Sequence, residues 1–316
     1  LIVLQKTRRP GLVALAQSAG VELADTKAYH IGYVFGPRLN AAGRLEHANY
    51  SLELMLTKDP VDAQALAFQL EELNHQRQLE TDRIVKEADA RAQEYHDDPV
   101  LVLAGNDWPH GVVGIVASRL AEKWRKPTLI LQVLDDHAKG SARSANGYNL
   151  IEGLRSRADL FQKLGGHHFA AGFTLDAGNI DELRTTMNEH YLEVEPDLPP
   201  QAQREADIEI EDPAEISWEL YNALSLLEPY GTANPEPALG VRKVKVVDVE
   251  PVGKTKNHLK LRLAGDNGAI HEAIGFGLVE KYPNLKQGQL VDVLGYVQKR
   301  EWNERASLQL ILLSLQ

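Results

Sequence analysis

From Val61 to Tyr95 the chain runs without a glycine or a proline, and Leu66, Leu70 and Leu73 recur at helical spacing. Asp59 suits the N-cap and Pro60 the first turn. A helix of that length spans about 50 Å, which suits a connector between bodies. Upstream, Pro10-Gly11 opens a short helix over Leu12–Ala16 that stops at Gly20, and residues 36–44 form a turn-rich stretch. Downstream, Val100–Gly105 reads as a buried strand ended by glycine, residues 111–124 as a helix and Pro127–Val133 as a second buried strand. This alternation predicts an α/β unit with a mostly parallel sheet, running to about Leu192. Pro196, Pro199 and Pro200, with the acidic run after them, mark a linker.

Beyond Gly240 the period changes to two. Val244 and Val246 face one way and Lys243 and Lys245 the other, while Leu259, Leu261 and Leu263 alternate with His258, Lys260 and Arg262. Leu290–Val297 and Ala306–Leu313 are further strands, with Asn303 in a hairpin loop. Four or five antiparallel strands with one basic face predict a small barrel of the oligonucleotide-binding (OB) type. The fold class is therefore α/β plus β.

Composition narrows the function. The 316 residues carry 43% hydrophobic and 25% charged positions, which describes an ordinary globular protein of two or three domains. No run approaches the ~18 apolar residues of a membrane helix, and no signal peptide is recognisable. With no cysteine, any metal must use His, Asp or Glu, and a cytoplasmic location fits. The opening Leu1-Ile2-Val3-Leu4 reads as the middle of an apolar element, so the chain is expected to be the C-terminal part of something longer. The net charge of −11 argues against binding nucleic acid over the whole surface. The charge is uneven, however. Residues 205–219 carry only acids, whereas 241–262 have a basic excess from Arg242, Lys243, Lys245, Lys254, Lys256, Lys260 and Arg262. That stripe is either an anion-binding face or a solvated strand face.

Four segments hold the candidate chemistry. In Gly36–Arg44, Arg38, Asn40 and Arg44 stand among small residues, a composition suited to phosphate or to a surface helix. In Trp108–Ile115, His110 precedes a glycine able to open a helix, where free N–H groups favour an anion. In Lys139–Ser144, Ser141, Arg143 and Ser144 offer hydroxyl and guanidinium donors on what reads as a loop after a strand. In Gly165–Gly172, two glycines and His167-His168 precede Phe169-Ala170-Ala171-Gly172, either a tight turn presenting an imidazole or a buried turn around a core histidine. All four are expected between secondary elements.

GPRLNAAGR, WPHGVVGIVASRL, KGSARS and GGHHFAAG, in this order and spacing, resemble successive motifs of the RecJ single-stranded-DNA exonucleases of the DHH phosphoesterase superfamily. The resemblance covers essentially the whole chain. It implies the end of a DHH core domain (1–59), a long connecting helix (60–96), a DHH-associated α/β domain (97–195), an acidic linker and helical segment (196–240) and an OB-fold (241–316). It also implies 5′-to-3′ degradation of single-stranded DNA with Mn2+ or Mg2+ in DNA repair and recombination, and a single-stranded-DNA-binding protein as a partner. Carried onto this sequence, Ser141, Arg143 and Ser144 would bind the 5′ phosphate, and Arg38, Asn40 and Arg44 the backbone phosphates. His167 would face the scissile phosphate, with Gly166 and His168 beside it, and His110 would stabilise the interface or the nucleotide. Lys245, Lys256, Lys260 and Arg262 would guide the strand, and Trp302 would stack on a base.

The sequence departs from the family at Ala142, where glycine is usual and where alanine restricts a loop. The Asp-His-His cluster has no counterpart here, since Asp97, Asp98, Asp135 and Asp136 lack a histidine at ligand spacing. This chain alone is therefore expected to bind single-stranded DNA weakly without hydrolysing it. The alternatives are a phosphoesterase of short oligonucleotides or cyclic dinucleotides, which the long helix and the barrel disfavour, and a non-catalytic nucleic-acid-binding scaffold.

Overall fold

The structure is a computed structural model and describes residues 1–195, 205–231, 233–253, 255–265, 268–302 and 305–316. Pro196, Pro199 and Pro200 lie outside the described residues. The chain divides into two compact units, Leu1–Ala202 and Gln203–Gln316.

The first unit opens with helices α1 (Ile2–Gln5), α2 (Pro10–Ser18), α3 (Gly36–Leu45) and α4 (Asn49–Leu56), with a π-helical turn over His30–Phe35 leading into α3. The stretch expected to be turn-rich is thus a helix. Pro37 sits in its first turn, where its missing N–H costs nothing. Helix α5 (Pro60–Ala92) follows, capped by the Asp59 carboxylate, which accepts from the backbone N–H groups of Val61 and Asp62. Its buried stripe begins with Ala63, Ala67, Leu70 and Leu73, which pack with α2, α3 and α4 around Leu15, Phe35 and Leu54. The stripe continues through Ile84, Ala88 and Ala92 into a separate core with Leu101, Leu103 and Trp108. One helix therefore joins two cores, as its length predicts.

The α/β domain comprises β1 (Leu101–Gly105), α6 (His110–Trp124), β2 (Thr128–Leu134), β3 (His137–Arg143), α7 (Leu150–Arg155), β4 (Phe161–His167), β5 (Ala170–Asp176) and α8 (Ile180–Val194). The sheet order is β1-β2-β3-β5-β4. Only β1–β2 is parallel, which corrects the mostly parallel expectation. Parallel pairing needs a crossover, and α6 supplies one between β1 and β2. The two-residue turns Asp135-Asp136 and His168-Phe169 instead reverse the chain directly. On one face, Leu129, Leu131, Ala138, Ala142, Phe173 and Leu175 bury against α7 and α8. On the other, α5 and α6 cover Leu101, Leu103 and Ile130. That second face stays open along β5 and β4, where Lys163, Gly165, His167 and Gly172 are exposed.

The second unit comprises β6 (Ile208–Ile210), α9 (Trp218–Ser225), β7 (Leu239–Val252), β8 (His258–Ala264), β9 (Ile270–Gly275), β10 (Leu290–Trp302) and β11 (Arg305–Leu315). The acidic segment expected within a linker supplies β6, which pairs with β7, and places Ile210 and Ile216 in this unit's core. The order β10-β11-β9-β8-β7 returns on itself through β10–β7. Val244, Val246, Leu259, Leu261 and Leu263 point inward, as their alternation predicts. The pairing β9–β11 is parallel, a departure from an all-antiparallel barrel. Among the described residues no helix is long and apolar enough to cross a membrane.

Candidate functional site

Strand β3 alternates two kinds of side chain. Ala138 and Ala142 enter the core, whereas Lys139, Ser141 and Arg143 face the other way, toward α6. The segment expected as a loop is thus mostly strand, hidden in the sequence by small residues of low β propensity. Ala142 is fully buried on the far face and leaves the donors unaffected. Arg143 Nη1 donates to Ser141 Oγ at 3.3 Å and to the Ala142 carbonyl at 2.8 Å. Above them lies the N-terminal half of α6, where a Cβ at Gly114 would sit 3.0 Å from Ser141 Oγ and 3.2 Å from Arg143 Nη2.

Helix α6 begins after Pro109 with no side-chain cap and no acid in its first turn, so the positive end of its dipole meets these donors uncompensated. Trp108, fully buried, donates to Glu87 and fixes the entry to the helix. Arg44, near the end of α3, donates to the Gly111 carbonyl at 2.8 Å. A Cβ at Gly111 would lie 1.8 Å from the Arg44 carbonyl oxygen, so α3 and α6 touch backbone to backbone here. Burial, and then the charge of Arg44, push Arg143 below the ordinary guanidinium range. Packing around its exposed ring, and then Lys139, hold His110 below the usual histidine value. Among the described residues, none of Arg44, Lys139 and Arg143 forms an ion pair with a carboxylate. The cluster is a set of cations without counter-charge.

The sheet register extends this cluster sideways. Arg143 pairs with Ala170 and Ala170 with His167, while Ser141 pairs with Gly172 and Gly172 with Gly165. Paired residues share a face, so both rows lie on the open side. The distance from Arg143 to His167 is two strand spacings, about 10 Å. Between them Ala170, Gly172 and Gly165 form a floor almost without side chains. Within this motif Gly166 therefore serves closeness, and neither it nor Gly165 adopts positive φ. A Cβ on Gly166 would lie 2.5 Å from the Ala170 carbonyl oxygen and 2.6 Å from Ala171 Cα.

Other expected residues sit differently. His167 is exposed on the open face, so the core-histidine alternative does not hold. The His168 Nε2 lies 3.1 Å from the Gly147 carbonyl, and Ser144 Oγ donates to the Tyr148 carbonyl, which turns both toward the loop after β3. Asn40 is exposed one turn before Arg44. Arg38 is engaged by Glu71 of α5 and donates to the Val34 carbonyl at 2.8 Å, a tie inside the helical region.

In the second unit the basic stripe is mixed in charge. Asp248 stands opposite Arg262 and Glu250 opposite Lys260, and Glu272 approaches Lys260 at 3.5 Å and Arg300 at 3.1 Å. Lys245 and Lys256 are exposed. The Trp302 side chain lies outside the described residues.

Sequence reasoning missed Lys139 as a member of the cluster, and Arg77. The latter is nearly buried on α5, where burial and then Arg44 and Arg119 lower its pKa. Its place four residues after Leu73 puts it on the buried stripe, a readable signal. A cleft of about 580 Å³ in the second unit, lined by Trp218, His271, Arg300 and Arg305 among others, was also not foreseen.

The chain thus carries an anion-receptive α/β domain followed by a small barrel. Residues 97–192 match the DHHA1 domain and residues 206–314 the RecJ OB domain. The chain belongs to the RecJ family. It is 32% identical over 314 residues to the single-stranded-DNA-specific exonuclease RecJ of Bacillus subtilis, covering 98% of this chain and 39% of that protein. It is 31% identical to the RecJ of Thermus thermophilus over 297 residues, 93% of this chain and 40% of that one. The crystal structure of Thermus thermophilus RecJ in complex with Mn2+ superposes with a TM-score of 0.85 at 28% identity, over 100% of this chain and 45% of that one. The chain thus spans less than half the length of these relatives.

Among the described residues no three His, Asp or Glu side chains converge to hold a metal ion. The cationic cluster suits phosphate oxygens and would repel a divalent cation, so the residues here do not fit one.

Proposed function

We propose that this chain is the strand-positioning part of a RecJ-type 5′-to-3′ single-stranded-DNA exonuclease acting in DNA repair and recombination. The observation that carries the reading is the uncompensated cluster of Arg44, His110, Lys139, Ser141 and Arg143 at the uncapped start of α6. A terminal phosphate dianion takes the Arg143 fork and the Ser141 hydroxyl, and the helix dipole adds to its binding. It also relieves the repulsion between Arg143 and Arg44. His167, about 10 Å away across the floor, is left to meet the following phosphodiester, with Gly166 keeping its strand tight against β5. Arg44, hydrogen-bonded to the start of α6, and Asn40, exposed one turn before it, would add contacts to backbone phosphates. Lys245 and Lys256 of the barrel, with Lys260 and Arg262 partly neutralised by neighbouring acids, guide the strand more loosely.

The relative from Thermus thermophilus was solved with Mn2+ and with Mg2+. In this reading the metal-bearing groups belong to the remainder of the relatives' length, and the present chain contributes positioning. A single-stranded-DNA-binding protein is the partner, and the cytoplasm the setting, that accompany the proposal.

Fluorescence anisotropy with labelled oligodeoxynucleotides tests it. The chain should bind a 5′-phosphorylated single strand about tenfold or more tightly than the 5′-hydroxyl strand, the worth of charge-assisted hydrogen bonds. A 3′-phosphate should give no such gain. Equal affinity for all three strands would overturn the proposal.

A further inference from the structure

The turn between β4 and β5 consists of His168 and Phe169. Two-residue hairpin turns ordinarily carry Asn, Asp or Gly, and an apolar ring there gains nothing from the fold. Phe169 is 65% exposed and belongs to neither neighbouring core. Its backbone is nonetheless held firmly. The Ser144 N–H donates to the Phe169 carbonyl at 2.9 Å, and the Leu150 N–H donates to the His168 carbonyl at 3.1 Å. The Phe169 N–H donates to His167 Nδ1 at 3.3 Å. The ring stands 4.6 Å from that of His168, tilted by 52°, and 6.3 Å from that of His167, edge to face.

A rigidly presented, solvent-facing aromatic surface is thus flanked by two imidazoles. Its place is equally specific. Ser144, which holds the Phe169 carbonyl, follows Arg143 directly, and Ala170, the next residue after Phe169, is the register partner of Arg143. The ring is therefore rooted within one residue of the row carrying the guanidinium.

We infer that Phe169, backed by His167 and His168, is a stacking surface for a nucleobase beside the phosphate held by Arg143, an inference that rests on the proposed function. Every base has a π-face, so the contact tolerates sequence while demanding a base. It also demands that the base be free of a duplex stack, so Phe169 contributes to selection of single strands.

The test uses the 316-residue chain and 5′-phosphorylated single strands, either intact or with one abasic nucleotide at the first, second or third position. The wild type should lose about tenfold in affinity for one of the abasic strands. Phe169→Ala should bind intact and abasic strands equally, Phe169→Tyr should restore the difference, and all three proteins should keep the same preference for 5′-phosphate over 5′-hydroxyl. Discrimination by Phe169→Ala equal to that of the wild type would overturn the inference, as would its absence in the wild type. A wild type that senses the missing base but ignores the 5′-phosphate would support the stacking surface and refute the phosphate reading.

Discussion

Replacing Gly111 with alanine attacks the junction that aligns Arg44 with the start of α6. The added Cβ would fall 1.8 Å from the Arg44 carbonyl oxygen, 2.7 Å from its carbonyl carbon and 2.9 Å from its Cα. All three are backbone atoms, so no side-chain rotation relieves the overlap. An ordinary contact requires roughly 2 Å of separation to be added between the two helices. Both helices are anchored: α3 buries Ala41 and Ala42 completely, and α6 buries Val112 and Val113 completely. Overpacking of this kind costs about 1–3 kcal/mol, and the better helix propensity of alanine returns less than about 1 kcal/mol. At a net cost of about 1–2 kcal/mol the unfolding transition of the first unit should fall by about 2–8 °C, at roughly 2–4 °C per kcal/mol. Differential scanning calorimetry reads this directly. The Arg44–Gly111 hydrogen bond stretches too, so binding of 5′-phosphorylated single strands should weaken in parallel. A Gly111→Ala protein as stable as the wild type would refute the backbone contact as described.

Gly165 makes the opposite case, since nothing lies within 4 Å of a Cβ built there. Gly165→Val should therefore leave calorimetric stability nearly unchanged yet weaken single-strand binding by raising the floor; unaltered affinity would remove the floor from the site. On the barrel, Lys256→Ala should reduce the slope of log K against log salt by about 0.7. Arg262→Ala, whose charge already faces Asp248 and Glu272 across the strands, should reduce it less; the reverse order would count against the mixed-charge face. His110 has its pKa lowered in the fold, so the unfolded chain takes up its proton first as the pH falls. Its contribution is intact above the ordinary value of 6.5 and is lost below it. Urea titrations at pH 7 and pH 5.5 should show a stability loss that His110→Gln diminishes, and an identical pH dependence in that variant would contradict the assignment.

The long helix was legible because a cap, a proline and an uninterrupted stripe agree, and the barrel strands because leucine and lysine alternate strictly. The site was legible only as composition. Gly165–Gly172 reads as a turn, yet its glycines stand in paired strands, where Gly166 serves cross-strand closeness to Ala171 and Gly165 and Gly172 leave the open face bare. Ser141 and Arg143 read as a loop because alanine and glycine fill the alternate positions, where Phe173 beneath Gly140 leaves no room for a larger side chain. The side-by-side placement of β3, β5 and β4 depends on pairing between distant segments, which no local pattern specifies. The paired charges around Lys260 and Arg262 share that origin, since their partners lie on neighbouring strands.

The central claim is that Arg143 and its neighbours read a terminal phosphate. A double-mutant cycle tests it most directly, combining Arg143→Ala with removal of the 5′-phosphate from the same single strand and measuring all four affinities. The account predicts that the roughly tenfold or greater preference of the wild type for the phosphorylated strand collapses to near unity in Arg143→Ala, while the two proteins bind the 5′-hydroxyl strand alike. A preference that persists undiminished in the variant, with its fold verified by circular dichroism, would contradict it.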